Sequence, residues 1–129
     1  MLINPIISKL ITDCPLLSEV RLAYGVSTVE PSQLPVAYIH PTKEEADAST
    51  YDNFVVQQLE CEFTVMFAVS ISSDSLDAVR DQVRNSLLGY VINSDYDAIQ
   101  FSVGEILEVS ASTIWWRDTY MTKRYVRQT

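Results

Sequence analysis

Few side chains in this sequence of 129 residues are of the types that carry out catalysis or bind metals. A nucleophilic triad needs a base beside the nucleophile, and the single histidine, His40, lies at the end of a predicted strand. Cys14 and Cys61 show neither CxxC nor zinc-ligand spacing, which predicts two buried thiols. Glu60 and Glu62 could act as an acid–base pair, but they share the polar side of an amphipathic strand, which favours solvated charges.

Glycine content and net charge exclude further classes of function. The chain has only three glycines, so it has no glycine-rich loop that could bind phosphate. The net charge of −8 argues against a general nucleic-acid binder, because affinity for phosphates needs clustered Lys and Arg. We therefore expect no enzymatic activity, no cofactor and no metal site.

The charge is unevenly distributed along the chain. Residues 117–129 have a net charge of +3, which leaves −11 for the first 116 residues. The basic end falls in a predicted strand, one face of which interleaves aromatic and cationic side chains with a methionine. These are Trp115, Arg117, Met121, Lys123, Tyr125 and Arg127.

Three interpretations of this strand face are open. Trp, Tyr, Arg and Met are enriched at protein interfaces, which favours contact with another protein. Alternatively, Trp115 and Met121 cover the edge of a core while the cations extend to water. The third interpretation is a platform that stacks bases and neutralises phosphates, which the acidic remainder of the chain disfavours. Our leading hypothesis is a protein interface.

The first elements that position these residues are a helix and two strands. Asn4 is the predicted N-cap and Pro5 the first helical residue, since a proline at that position loses no hydrogen bond. Pro15 ends the helix, because the residue before a proline avoids the helical region. Short strands are predicted over 19–23 and 36–40.

A second helix is predicted after the N-cap Asp74, with a left-handed C-terminal cap near Gly89. Arg80 and Arg84 are expected on its outer face, beside aspartates three or four residues away. Its apolar stripe comprises Leu76, Val79, Val83 and Leu87.

Long strands account for most of the remaining chain. Apolar and polar residues alternate strictly over 58–71, which predicts one antiparallel strand with one face on the core. A straight strand of that length would span ~46 Å, so it must bend, contain a bulge or project from the body. A final hairpin comprises 99–103, 106–109 and 113–127.

The polar, acidic segment 41–53 is predicted as a loop, either a solvated hairpin connection or one that orders against a partner. The element order α-β-β-β-α-β-β predicts a single α+β domain over 1–129, with two helices packed on a mostly antiparallel β-sheet with long strands. The N-terminus lacks the features of a signal peptide and no apolar run reaches the length of a membrane span, so the cytoplasm is the expected compartment.

Residues 114–122 (Ile-Trp-Trp-Arg-Asp-Thr-Tyr-Met-Thr) resemble the WW-x-D segment near the C-terminus of tail terminator proteins of long-tailed phages. The order of elements is also similar, including the strand segment Glu-Cys-Glu-Phe-Thr-Val over 60–65. The helix segment Leu-Asp-Ala-Val-Arg-Asp-Gln-Val-Arg over 76–84 adds to the likeness. The resemblance covers essentially the whole chain.

The resemblance implies a non-enzymatic virion protein that assembles as a ring, usually a hexamer. Such a ring sits on the last ring of tail tube protein, stops tube growth and offers a surface to a head-completion or connector protein. Genomic DNA passes through its lumen without specific binding. The implied location is the head-proximal end of the tail, after assembly in the host cytoplasm and without membrane contact.

Two alternatives stand beside this interpretation: a neck or tail-completion protein, and a small β-platform module that binds nucleic acid. A head-to-tail ring needs two different complementary patches on each subunit. The basic face or its edge strand could supply one patch, and the acidic body could supply the other or repel DNA from the lumen.

Overall fold

The computed structural model describes residues 1–26, 31–46, 56–72 and 74–127. Within these ranges, two helices pack on one face of a five-stranded sheet whose strands lie in the order β1-β2-β3-β5-β4. The elements along the chain are α1 (Asn4–Asp13), β1 (Glu19–Leu22), β2 (Val36–Ala46), β3 (Val56–Ser70), α2 (Ser75–Leu87), β4 (Gln100–Val109) and β5 (Thr113–Arg127). β1 runs parallel to β2, and the other neighbours are antiparallel. The predicted fold class and element order are confirmed.

The two longest strands, β3 and β5, form the centre of the sheet. Each has 15 residues, and they pair along their whole length, from Val56 opposite Arg127 to Ser70 opposite Thr113. This pairing confirms the antiparallel setting that the alternation predicted. The edge strand β4 adapts to β5 through two register shifts, one after Phe101 and one after Ile106.

The acidic segment predicted as a loop over 41–53 is in part a strand. β2 continues to Ala46 and pairs with β3, with a register shift between Pro41 and Lys43. The loop prediction is wrong for these six residues because backbone pairing with β3 holds them extended, while their charged side chains remain exposed. Residues 47–53 lie outside the described residues.

The helix ends differ slightly from the prediction. Asn4 is already helical and the N-cap position falls to Ile3, whose side chain cannot cap. Asp74 occupies the predicted N-cap position of α2, but its carboxylate makes no capping hydrogen bond to the described residues. Gly89 follows α2 with a φ of +81°, the left-handed conformation that glycine adopts without a Cβ penalty.

The core lies between the helices and one face of the sheet, the helix-side face. Leu10 of α1 and Val83 of α2 are fully buried there. On the sheet, the rings of Phe63 and Tyr120 stack at 5.6 Å, and Phe101 meets Tyr120 edge-on at 5.5 Å. Aromatic pairs of this kind contribute about 0.5–1.5 kcal/mol each beyond the burial of their area. Among the described residues, two short helices therefore cover one face of the sheet, and no helical layer covers the opposite face.

Both cysteines are buried free thiols, as predicted. Burial raises the pKa of Cys14 to about 11 and also raises the pKa of Cys61. Since the thiolate is the reactive form, both side chains are inert at neutral pH. In the described part of the chain, no helix combines the length and the apolar character needed to cross a membrane.

Replacing Leu10 by Ala tests the packing of α1 on the sheet. Leu10 is fully buried, so we expect a loss of about 2–5 kcal/mol in the free energy of unfolding, measured by chemical denaturation. Ile11→Ala is the matched control on the same helix, because Ile11 is 61% exposed and should cost less than about 0.5 kcal/mol. Equal losses in the two variants would contradict the described orientation of α1.

Candidate functional site

The face of the sheet opposite the helices, the open face, receives the side chains that the sequence singled out on β5. Trp115, Arg117, Met121 and Lys123 alternate onto this face, opposite β3 residues that point the same way. Tyr125 follows in the same alternation. Arg127 ends the strand, and its side chain lies outside the described residues.

Trp115 is packed within the chain rather than displayed. It is only 4% exposed and belongs to a second, smaller apolar cluster on the open face. Its ring lies 5.7 Å from that of Tyr38, and Met66 is also part of the cluster. Leu107 of β4 packs against it from the side. Trp115 therefore stabilises the open face from within and offers little surface for base stacking or for a partner.

Arg117 forms an ion pair with Glu105 of the neighbouring strand β4. Both side chains are partly exposed, at 37% and 50%. An exposed pair of this kind contributes at most about 1 kcal/mol, because water screens it. Near this edge of the sheet, the positive charge of Arg117 on the open face is therefore compensated by Glu105 of the same chain.

His40 lies further across the open face, in a local set of contacts. Its Nε2 lies 3.2 Å from the hydroxyl of Thr64, and its ring lies 5.2 Å from that of Tyr24. Burial lowers the pKa of His40, and the positive charge of Arg117 lowers it further. His40 is therefore neutral at pH 7, and its hydroxyl neighbour is 98% buried, so the pair lacks an accessible nucleophile.

Met121 separates two shallow clefts at the end of the open face that is distant from Trp115. One cleft, of about 180 Å³, is lined in part by Lys43 and Glu62, and the other, of about 120 Å³, by Asp97 and Lys123. Met121 is thus a half-exposed apolar side chain between two clefts that are lined by charged residues. Such a surface suits a protein contact with an apolar centre and a polar rim.

Tyr125 fixes the end of β5 to a neighbouring loop. Its hydroxyl donates to the Asp97 carboxylate at 3.1 Å and accepts from the Gln58 side-chain amide at 3.0 Å. Its backbone amide donates to the carbonyl of Asp95 at 2.9 Å. The C-terminal half of β5 is therefore held in place by a loop as well as by β3.

The basic end of the chain is partly compensated by contacts inside the domain. In addition to the Arg117 ion pair, Lys123 stands opposite Glu60 in the β3–β5 register. Arg124 points to the other face, where its guanidinium lies 5.8 Å from the ring of Tyr96. The change of sign seen along the sequence is thus partly balanced across neighbouring strands.

A buried ion pair that the sequence did not identify connects β5 to α2. The carboxylate of Asp118 is fully buried and accepts from Arg80 Nε at 3.0 Å and from Arg80 Nη2 at 2.9 Å. The indole N–H of Trp116 donates to the same carboxylate at 2.8 Å, and the Arg80 guanidinium lies 4.5 Å from the centre of the indole ring. Charge-assisted, bidentate bonds of this kind are the stronger hydrogen bonds in proteins.

The prediction that Arg80 and Arg84 lie on the outer face of α2 is wrong, although Arg84 makes the expected pair with Asp81 at 3.7 Å. Arg80 turns inward to Asp118, and the guanidinium of Arg84 lies 4.8 Å from the ring of Phe101. The sequence contained one local sign of this buried ion pair: Asp118 lies between apolar residues on the buried face of a strand. Its partner is 38 residues away, so spacing alone could not identify it.

Gly104 of β4 provides the space for this buried pair. A Cβ at this position would lie 2.5 Å from Asp118 Oδ1 and 2.8 Å from Arg80 Nη2. Real Cβ atoms essentially never approach other atoms so closely, and both neighbours are held by their mutual hydrogen bonds. Glycine at position 104 is therefore explained by the close approach of a buried side chain.

Within the described ranges, no group of three or more His, Cys, Asp and Glu residues converges closely enough to hold a metal ion.

Comparisons with known proteins identify both a family and a fold. The sequence model of a family described as "Phage tail terminator protein" matches residues 1–129. No curated protein matches the chain in sequence. Among solved structures, a chain of the "Virion of native gene transfer agent (GTA) particle" is similar, with a TM-score of 0.64 and 12% identity. The match covers 94% of this chain and 92% of that chain, so it shows a shared fold over nearly the full length of both.

Replacing Asp118 by Asn tests the buried ion pair. The substitution keeps the shape of the side chain but leaves the Arg80 guanidinium buried without a countercharge, so we expect a loss of about 3–5 kcal/mol in unfolding free energy. Glu105→Gln removes a carboxylate from the exposed pair with Arg117 and should cost at most about 1 kcal/mol. Denaturant titration of both variants measures the difference, and similar losses would contradict the central role of Asp118.

Replacing Gly104 by Ala tests the close approach to the buried pair. The added methyl group must displace Asp118 or Arg80, and we expect a destabilisation of about 1–3 kcal/mol. Gly25→Ala is the matched control, since a Cβ at that position meets nothing within 4 Å. Thermal unfolding of both variants provides the comparison, and an unchanged midpoint for Gly104→Ala would refute the steric explanation.

Proposed function

The chain belongs to the phage tail terminator protein family and so has a structural role in a phage tail; from this we propose that it forms a ring on the end of the tail tube. In this role it ends polymerisation of the tube and offers the surface to which the head is joined. The ring is proposed as a hexamer, at the head-proximal end of the tail. Its partners are further copies of itself, the tail tube protein and a head-completion or connector protein.

The observation that supports this proposal best is the open face of the sheet. Both helices pack on the other face, while Met121, Lys123 and Tyr125 remain half-exposed on this one. A sheet surface with an apolar centre and a polar rim suits a protein contact. We assign this surface, together with Arg117 and Arg127, to contact with the tail tube, and we assign Trp115 to stabilising it from within.

The same geometry disfavours a platform for nucleic acid. Such a platform needs exposed aromatic rings for stacking and uncompensated cations for phosphates. Trp115 is 4% exposed, Arg117 is paired with Glu105, and Lys123 stands beside Glu60. We therefore retain the assembly function and propose that genomic DNA passes the ring without specific binding.

The net charge of −8 supports that last point. Acidic side chains facing a lumen would repel the DNA phosphates over roughly 8 Å at physiological salt. Repulsion of this kind keeps the genome from adhering to the wall while it moves through the tail.

A tail-length assay tests the proposed function. The cognate tail tube protein, assembled with the unmodified chain, is expected to form tubes of uniform length with a ring at one end, visible by negative-stain electron microscopy. Without the chain, tubes should continue to grow, because nothing blocks addition of the next ring. Tubes of equal length with and without the chain would overturn the proposal.

Met121→Lys tests the assignment of the open face to the tube. The new cation lies opposite Glu62, so the fold should persist while the apolar centre of the contact is lost. We expect overlong tubes, as in the absence of the chain. Ile11→Lys makes the same type of change at an exposed position of α1 and should leave tube length normal. Normal tubes with a folded Met121→Lys variant, checked by circular dichroism, would contradict the assignment.

A further inference from the structure

We propose that the two edge strands of the sheet, β1 and β4, form the contact between neighbouring subunits, so that β1 of one copy pairs with β4 of the next. This inference rests on the proposed ring and names the surfaces that would close it. A ring with head-to-tail contacts needs two different patches on opposite sides of each subunit. The strand order β1-β2-β3-β5-β4 provides them, with the edges roughly 19 Å apart at about 4.8 Å per strand.

The directions of the two edge strands suit this pairing. β1 is parallel to β2. The three remaining pairs, β2–β3, β3–β5 and β5–β4, are antiparallel. β1 and β4 therefore run in opposite directions. When two copies stand side by side in the same orientation, the adjoining edges meet as an antiparallel pair, which allows a regular ladder of backbone hydrogen bonds.

The helix-side faces of both edges carry exposed aliphatic side chains. Leu22 of β1 is 48% exposed, and Ile106 and Val109 of β4 are 55% and 54% exposed. Their register partners show that all three point to the helix-side face. An edge strand with apolar side chains and unpaired backbone groups can accept another strand. β4 has no lysine or proline, and its protection is limited to two register shifts and the exposed Glu105 and Glu108.

The open face of β1 carries the ion-paired Arg21 and Glu19, whereas the open face of β4 carries the acids Glu105 and Glu108. Arg21 of β1 has 51% of its side chain exposed, although it also contacts Glu19 and Tyr38 of its own chain. Glu105 of β4 is 50% exposed and lies on the same face of the sheet. Joining β1 to β4 brings this cation near this acid while the aliphatic side chains meet on the reverse face.

Charge also disfavours the symmetric alternative, in which β4 pairs with β4 of a second copy. That contact would bring two copies of Glu105 and two of the exposed Glu108 together along one seam. Like charges on neighbouring strands are destabilising. The β1–β4 contact avoids this repulsion and gives a repeating assembly, whereas β4–β4 pairing would stop at a dimer.

Cross-linking in capped tubes tests the proposal. The double variant Leu22→Cys/Ile106→Cys is assembled with the tail tube protein and treated with a short thiol-specific cross-linker. Cys14 and Cys61 are each 1% exposed and will not react. We expect covalent multimers larger than a dimer from the double variant and none from either single variant, because each contact joins one residue 22 to one residue 106.

The possible outcomes separate this inference from the proposed ring. Covalent dimers from Ile106→Cys alone would overturn it in favour of symmetric β4 pairing. Tubes capped at normal length by the double variant, without cross-linked multimers, would overturn the edge assignment and leave the capping function intact. Uncapped, overlong tubes with the unmodified chain would overturn both.

A charge reversal gives a second, independent measurement. Arg21→Glu should reduce the number of rings seen by electron microscopy, because it places an acid opposite Glu105 of the next copy. Lys9→Glu makes the same change in charge on α1, where Lys9 pairs with Asp13 of its own helix, and should leave ring number unchanged. Equal ring numbers in the two folded variants would contradict the role of Arg21.

Discussion

The buried ion pair between Arg80 and Asp118 is the interaction on which the arrangement of the sheet and its second helix depends. It joins α2 to the central strand β5, and Gly104 lets the edge strand β4 approach the same carboxylate. Burying two charges is unfavourable unless each is hydrogen-bonded, and here the carboxylate receives bonds from both Arg80 and Trp116. The pattern of residues 115–118 therefore has a physical explanation: Trp116 and Asp118 form one hydrogen-bonded unit.

The layered architecture determines which surfaces remain for assembly. Two helices of 10 and 13 residues cover one face of a sheet whose central strands have 15 residues each. The opposite face and both edges are left without a covering layer within the described chain. A small internal cluster around Trp115 stiffens the open face, so that its exposed residues stand on a rigid base. A structural protein of a phage tail needs such surfaces, since its contacts with other proteins are its function.

The distribution of charge illustrates how folding changes the meaning of a sequence pattern. Along the chain, an acidic body is followed by a basic end, which suggested two separate surfaces of opposite sign. In the fold, β5 lies between β3 and β4, so Arg117 meets Glu105 and Lys123 stands beside Glu60. The basic end is thus partly neutralised by acids that are distant in sequence.

The sequence by itself determined the element order, the long antiparallel strands and the face to which each β5 residue points. These properties depend on periods of 2 and 3.6 residues, which a few neighbouring residues encode. The sequence was wrong about residues 41–46, because strand pairing with β3 overrides their polar composition. Only the tertiary structure decided that Trp115 is buried, that Arg80 turns inward and that β1 and β4 are the edges. The physical reason is that burial and pairing depend on which elements become neighbours, and local periodicity does not specify neighbours 38 residues apart.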